Sequence, residues 1–305
     1  MLPPGIFLWE SGLEGLCEPT GLDDLTAISP IWKDELERCG AWSESVETDS
    51  GRFLKANLKN ETTIVIVGKC SSTMEVARYL VESDMLPKWG AVIAVEQSSG
   101  RGQLRRPWVS SPGNLHVSAV LPEGPSKGDW AKQYGGLVSL LCGHLIASGV
   151  KSLGAEVQIK WPNDLLHAER KVGGMLIEER AGVDILGLGI NLVESPPDSK
   201  MREDRSVEAG VLRTNPPVPG PLALWRALVS HGKSLYVVLL GELKPSQFVS
   251  ALSCHLAWMG RTILVNEREG STYQAEIIGI SPEGGLIVRH TEGEEVLFSG
   301  SITPQ

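Results

Sequence analysis

Several common signatures are missing from this chain, and each absence narrows the answer. Its five cysteines (Cys17, Cys39, Cys70, Cys142, Cys254) are odd in number and scattered. They form neither a CxxC pair nor a metal-ligand spacing, and fit a reducing, cytoplasmic setting. The opening Met1-Leu2-Pro3-Pro4-Gly5 has no basic region followed by an apolar one, as a secretory leader would. No apolar run approaches the length of a membrane span. Basic residues number 28 against 37 acidic ones, a formal net charge of −9, which argues against non-specific nucleic-acid binding. No internal repeat is visible. No glycine-rich loop ends in Gly-Lys-Ser/Thr, and none has the dinucleotide glycine spacing.

What remains is 305 residues, 42% hydrophobic and 21% charged, enough for one sizeable core and a small satellite domain. Residues 1–61 are rich in Gly, Pro, Ser and acids. They read as an irregular extension that packs on the body through Trp9, Trp32 and Trp42, with a short helix over Pro30–Arg38. They lack the amphipathic helices and basic residues of a helix-turn-helix. From residue 62 the pattern sharpens. A β-branched strand over Thr63–Gly68 precedes a helix start at Ser71-Ser72-Thr73-Met74-Glu75, where hydroxyls and an acid suit the first turn. Strands follow at Ala91–Val95 and Leu115–Leu121, and an apolar helix at Ala131–Ser148 carries Gly135, Gly136 and Gly143 for close packing. Strands at Val157–Trp161, Met175–Glu178 and Ile185–Leu192 succeed one another closely enough to be hairpins. The sheet is therefore mixed or mostly antiparallel. Helices over Leu222–Leu240 and Pro245–Leu256 lead to a tail with four short, regularly spaced strands, which reads as a small β-barrel.

Two stretches carry chemistry. Ile159-Lys160-Trp161-Pro162-Asn163-Asp164 ends an apolar run in turn formers, and Lys171-Val172-Gly173-Gly174 opens the next. Two strands joined by a bend would bring a carboxylate, an amide and an ammonium together, with Gly173 and Gly174 exposing bare backbone to a ligand. That outline suits an anionic small molecule. The other stretch, Gln97 to Trp108, places Arg101, Arg105 and Arg106 within six residues of an acidic protein. Arginine clamps phosphate through paired hydrogen bonds, and glycine lets backbone amides approach it. A solvated loop with a chance charge cluster is the competing reading.

Taken together, Ser72-Thr73, Gln97, Gly100-Arg101-Gly102, Trp108, Ser111-Pro112-Gly113-Asn114-Leu115, Lys160–Asp164, Lys171–Glu178 and Gly187-Leu188-Gly189-Ile190-Asn191-Leu192 closely resemble the biotin–protein ligases, in order and spacing. Met259-Gly260-Arg261 and the β-rich tail resemble their C-terminal domain. The resemblance implies an α+β fold, a mixed sheet flanked by helices of the class II aminoacyl-tRNA synthetase-like, biotin–lipoate ligase kind. It places the catalytic domain at 62–250 and an SH3-like β-barrel at 251–305. It implies ATP with Mg2+, biotin as substrate, a biotin carboxyl carrier domain as acceptor, no nucleic-acid or membrane partner, and leaves a homodimer open. By resemblance Lys171, Arg101 and Asp164 are catalytic. Ser72, Thr73, Met74, Gln97, Arg101, Gly102, Gln103, Lys171, Gly173 and Gly174 surround biotin. Arg101, Arg105, Arg106, Trp108, Asn163, Lys171 and Asn191 surround the adenylate. A metal site of the protein's own is not implied.

The chain departs from the family where a second loop arginine is Gln103, a glycine is Arg105, and an asparagine after Ser-Thr is Met74. Gln103 removes a fixed positive charge beside the reactive adenylate, so weaker retention of that intermediate is expected. A lipoate or octanoate ligase is the first alternative, but its Arg-Arg-x-x-Gly-Gly-Gly loop is absent. A binding protein that kept the fold and lost turnover is the second. An alternative for Lys171 itself is a surface ion pair with Glu169.

Overall fold

Gly5-Ile6-Phe7-Leu8-Trp9 forms a first strand, β1, in which all five residues are buried. An unbroken apolar run of this kind suits an interior strand covered on both faces. In the computed structural model, which describes residues 1–103, 106–180, 182–196, 207–218, 220–266 and 272–305, that is its position. The chain divides into two compact units, Met1–Glu123 with Gly174–Glu194 and Leu212–Ser230, and Gly124–Gly173 with Ser195–Val211 and His231–Gln305.

In the first unit, β1 pairs in parallel with β4 (Thr63–Cys70) and antiparallel with β3 (Gly51–Ala56). The sheet runs β2 (Trp42–Thr48), β3, β1, β4, β5 (Ala91–Gln97), β6 (Leu115–Val120), β10 (Val183–Ile190), with the later residues of β9 (Arg170–Arg180) beside β10. β4 and β5 are parallel and the β5–β6 and β6–β10 pairs antiparallel, so the sheet is mixed, as expected. The first 61 residues are not irregular. They supply β1, β2, β3 and two short helices, α1 (Leu22–Ile28) and α2 (Pro30–Arg38). Their polar composition concealed this because β2 is an edge strand with one face in solvent, and only β1 and β3 are buried. Two of its three tryptophans do anchor the segment, while Trp42 is half-buried and donates to Leu36 O within it. Trp9 stacks between Phe53 (5.4 Å) and Tyr79 (5.8 Å), and Trp32 is fully buried. α3 (Thr73–Glu82) has Ser72 at its N-cap and buries Thr73, Met74, Ala77 and Leu80 at helical spacing.

In the second unit, α4 (Asp129–Ser152) packs on α6 (Pro245–Leu252), with Phe248 between Trp130 (5.5 Å) and His144 (5.7 Å). β7 (Gln158–Lys160) and β8 (Asp164–His167) form a hairpin, and β9 starts beyond a second turn. The segment read as one polar bend is thus partly strand. The tail is a five-stranded sheet, β14 (Gly293–Leu297), β13 (Leu286–His290), β12 (Thr272–Ile280), β11 (Thr262–Asn266), β15 (Ser301–Pro304). β15, only four residues long, was not legible. Gly136 of α4 meets the β12–β13 turn so closely that a Cβ there would lie 2.2 Å from the Glu283 carbonyl oxygen. No described helix is long and apolar enough to cross a membrane.

Candidate active site

Each unit assembles one set of the residues singled out by the sequence. In the first, the end of β5 and the start of α3 are locked together. Gln97 Oε1 accepts from the Thr73 amide (2.8 Å) and hydroxyl (3.1 Å), while Gln97 Nε2 donates to Ser110 Oγ (2.9 Å). Thr73 Oγ1 also lies 2.8 Å from Ser118 Oγ on β6. Ser72 Oγ accepts from the Met74 amide, so it serves as a helix cap. These side chains form a pre-set line of polar groups at a helix N-terminus, on rigid elements rather than on a loop. Ser110 and Ser118 were missed by sequence reasoning, because a lone serine carries no signal until its partner is known. Met74 is buried, and its Cε lies 3.1 Å from where a Cβ at Gly187 would sit, so Gly187 makes room for it.

The basic loop folds back on itself. The Gly102 amide donates to Arg106 O and the Trp108 amide to Gly100 O, both at 2.8 Å, and Arg101 bridges Pro107. Here the Gly102 amide, expected on a phosphate, is used inside the loop. Arg101, Gln103 and Arg106 are exposed. Arg105 lies outside the described residues. Trp108 lies against β10, where a Cβ on Gly189 would come within 2.5 Å of its ring. Its Nε1 is buried without a hydrogen-bond partner among the described residues. Asn191, buried at the end of β10, gives its carbonyl to the Leu212 amide. The next turn is organised by Asn114, whose Oδ1 accepts from the Leu192 and Val193 amides (2.8 and 2.9 Å). A cavity of about 480 Å³ lies beside Ser71 and Ser98, walled by Leu13, Leu16 and Cys17 of the N-terminal segment.

In the second unit, Asp164 opens β8 and takes Lys171 Nζ at 2.6 Å on one oxygen and Lys160 Nζ at 3.0 Å on the other. Burial alone would raise the Asp164 carboxyl. The two ammonium groups overcome it and hold it down at about 2. Two cations on one anion leave the cluster with a net charge of about +1, which favours an anionic ligand. Lys160 was not assigned a role, although its place four residues before Asp164 in the Lys-Trp-Pro-Asn-Asp run was the available signal. The backbone of Lys171 is also held, its amide donating to Glu208 O (2.8 Å) and its carbonyl accepting from Gly210 (2.9 Å). The surface ion pair with Glu169 does not form; Glu169 is engaged elsewhere. The Trp161–Pro162 bond is cis, and Trp161 Nε1 donates to Gly284 O (3.0 Å). Asn163, half-buried, lies in the turn that follows, Gly173 is buried and Gly174 half-buried. His116, read as carrying no function, is buried, and its burial holds it down at about 4.

Residues 67–193 match the family model described as the biotin/lipoate A/B protein ligase family, and this span holds every one of the groups above that the sequence had singled out. Over those residues the chain is similar to the ligases of that family. The chain is 27% identical over 305 aligned residues to the bifunctional ligase/repressor BirA of Bacillus subtilis, covering 89% of the chain and 88% of that protein. It is 28% identical to the biotin–[acetyl-CoA-carboxylase] ligase of Paracoccus denitrificans, over 69% of the chain and 88% of the relative. Its fold matches that of the Aquifex aeolicus biotin protein ligase solved with biotin and ATP, with a TM-score of 0.63 and 20% identity over 80% of this chain and 98% of that one.

Proposed function

We propose that this protein joins biotin to AMP and passes the biotinyl group to a lysine of a biotin carboxyl carrier domain. In the first step a biotin carboxylate oxygen attacks the α-phosphorus of ATP. The bond from that phosphorus to the bridging oxygen breaks, and pyrophosphate leaves. In the second, the acceptor amine attacks the acyl carbon, the bond to AMP breaks, an amide forms and a proton is released. Both steps depend on positioning and on neutralising charge at oxygen.

The observation that carries the reading is the Lys160–Asp164–Lys171 cluster, whose net positive charge suits a carboxylate and a phosphate brought together. Lys171 then stabilises charge in both steps, with Asp164 holding its ammonium in place. Thr73, Gln97 and Ser72 are read as the polar wall for the ureido ring, with Met74, Gly173 and Gly174 as its close neighbours. Arg101, Gly102, Gln103, Arg105 and Arg106 are read as the flap over the adenylate. Trp108, whose buried indole N–H has no hydrogen-bond partner among the described residues, is read as lying beside it, and Asn163 and Asn191 are read as flanking the nucleotide. Magnesium is read as entering with ATP, because Asp164 already faces two ammonium groups that would repel a divalent ion. The five-stranded tail is read as the SH3-like domain.

Incubation with ATP, magnesium, biotin and a carrier domain, followed by intact-mass measurement, tests this. A gain of one biotinyl group on the carrier is expected. Modification by lipoate or octanoate but not biotin would reassign the acyl substrate, and no modification with any of the three would make the protein a binding paralogue.

A further inference from the structure

The turn between β8 and β9 has the wrong residues for its shape. Ala168 (φ +49°) and Glu169 (φ +63°) both occupy the left-handed region, as in a two-residue hairpin turn that normally selects Asn-Gly or Gly-Gly. A conformation strained in this way persists only when its surroundings hold it. Here the Glu169 carboxylate accepts Trp258 Nε1 on one oxygen (2.8 Å) and Arg261 Nη1 on the other (2.9 Å). Trp258 is buried and itself left-handed (φ +61°). The same segment grips the neighbouring strand, since the Ala257 amide donates to Ile159 O (2.9 Å) and Leu256 bridges Ile159. It is fastened in turn to the tail, with the Gly260 amide on Ile277 O (2.9 Å).

We propose that Glu169 is a positioning residue, clasped by Trp258 and Arg261 so that the β8–β9 hairpin keeps the register that sets Lys171 against Asp164. β8 begins with Asp164, and Lys171 follows Glu169 by two residues. Because side chains alternate along a strand, a one-residue slip in this hairpin would carry the Lys171 ammonium to the opposite face. The turn that normally fixes register is of an unfavourable sequence, so the side-chain clasp does it instead. The role rests on the reading of Lys171 as the group that acts on the carboxylate and α-phosphate.

The test compares Glu169→Ala with Glu169→Gln in the full-length protein. Glu169→Ala is expected to lower kcat for biotin-dependent pyrophosphate exchange about tenfold or more, with KM for biotin and ATP changed less than about twofold. Glu169→Gln keeps an acceptor for Trp258 and is expected to recover most of the rate. Amide hydrogen exchange at Arg170 and Lys171 is expected to quicken in Glu169→Ala and not in Glu169→Gln. That readout is independent of which acid the enzyme activates, so it separates failure of the clasp from failure of the functional reading. Unchanged exchange at those amides in Glu169→Ala overturns the proposal. So does a rate loss that Glu169→Gln shares in full.

Discussion

Lys171 Nζ lies 2.6 Å from Asp164 Oδ1, while the other oxygen of that carboxylate is held by Lys160 at 3.0 Å. The side chains are 29%, 16% and 9% exposed in the order Lys171, Asp164, Lys160, so the charge is concentrated rather than dispersed in water. Stability and activity therefore separate. Lys171→Met leaves Asp164 paired with Lys160, and its urea midpoint stays close to wild type. Its rate of biotin-dependent pyrophosphate release falls by about 10²–10³, as for other lost charge-stabilising donors. Asp164→Asn leaves two ammonium groups facing each other and costs about 3 kcal/mol in urea unfolding. Equal stability of the two variants would refute this account.

Two carboxyls give stability opposite dependences on pH. Asp164 is held down at about 2 from an ordinary 3.8 by its two lysines, against its burial. Its contribution is complete above the ordinary value and disappears as pH falls through the lower one. Glu35 is the reverse case. It lies buried in α2 and accepts from the Leu222 and Ala223 amides at the start of α5 (Pro221–Glu242). Burial raises it to about 7 from 4.5, outweighing the pull of those amides and of Arg226. Folded protein then keeps a proton that unfolded chain has lost. Stability is complete below the ordinary value and declines as pH rises through the folded one, by about 3 kcal/mol. Urea titrations at about pH 5 and about pH 8 should show that decline in wild type and not in Glu35→Gln.

Trp108 rests on a residue with no side chain. A Cβ at Gly189 would lie 2.5 Å from its ring, closer than real contacts allow. Gly189→Ala therefore displaces the indole. If Trp108 flanks the adenylate, KM for ATP rises about tenfold while biotin binding measured by calorimetry stays within about twofold. An unchanged KM for ATP would remove Trp108 from the nucleotide site.

Gln103 is exposed in the loop, at the position where the resemblance leads one to expect a second arginine. Restoring the charge with Gln103→Arg should slow release of biotinyl-AMP in the absence of acceptor, by about tenfold if one charge-assisted hydrogen bond forms. Adenylate trapped by rapid filtration measures it. Equal release would mean that the neutral side chain costs nothing.

Much of the candidate site was legible as a cluster of residue types, because those residues sit in short contiguous runs. Lys160–Asp164 announces a turn and charge, and Lys171–Gly174 a charge beside bare backbone. β4, α3, β5 and β6 followed from hydrophobic pattern and capping residues within a few positions. The failures share a cause. β2 has the composition of a loop because one face meets solvent, β8 hides inside a polar turn, and β15 is only four residues long. Each becomes a strand only because a partner supplies its hydrogen bonds. Ser110 and Ser118 were invisible for the same reason, being ordinary polar residues until folding brings a partner to them, and Glu208 contributes a backbone carbonyl that no residue type announces.

The order of motifs thus carried the resemblance and the residue types of the candidate site by itself, since spacing along the chain is a one-dimensional property and charge belongs to the side chain. Which groups meet was decided by tertiary structure. That Asp164 serves two lysines, that Gln97 caps Thr73 rather than facing solvent, and that Glu169 binds Trp258 instead of Lys171 are consequences of strand register and burial. Those depend on contacts between segments as much as 89 residues apart, which no local pattern encodes.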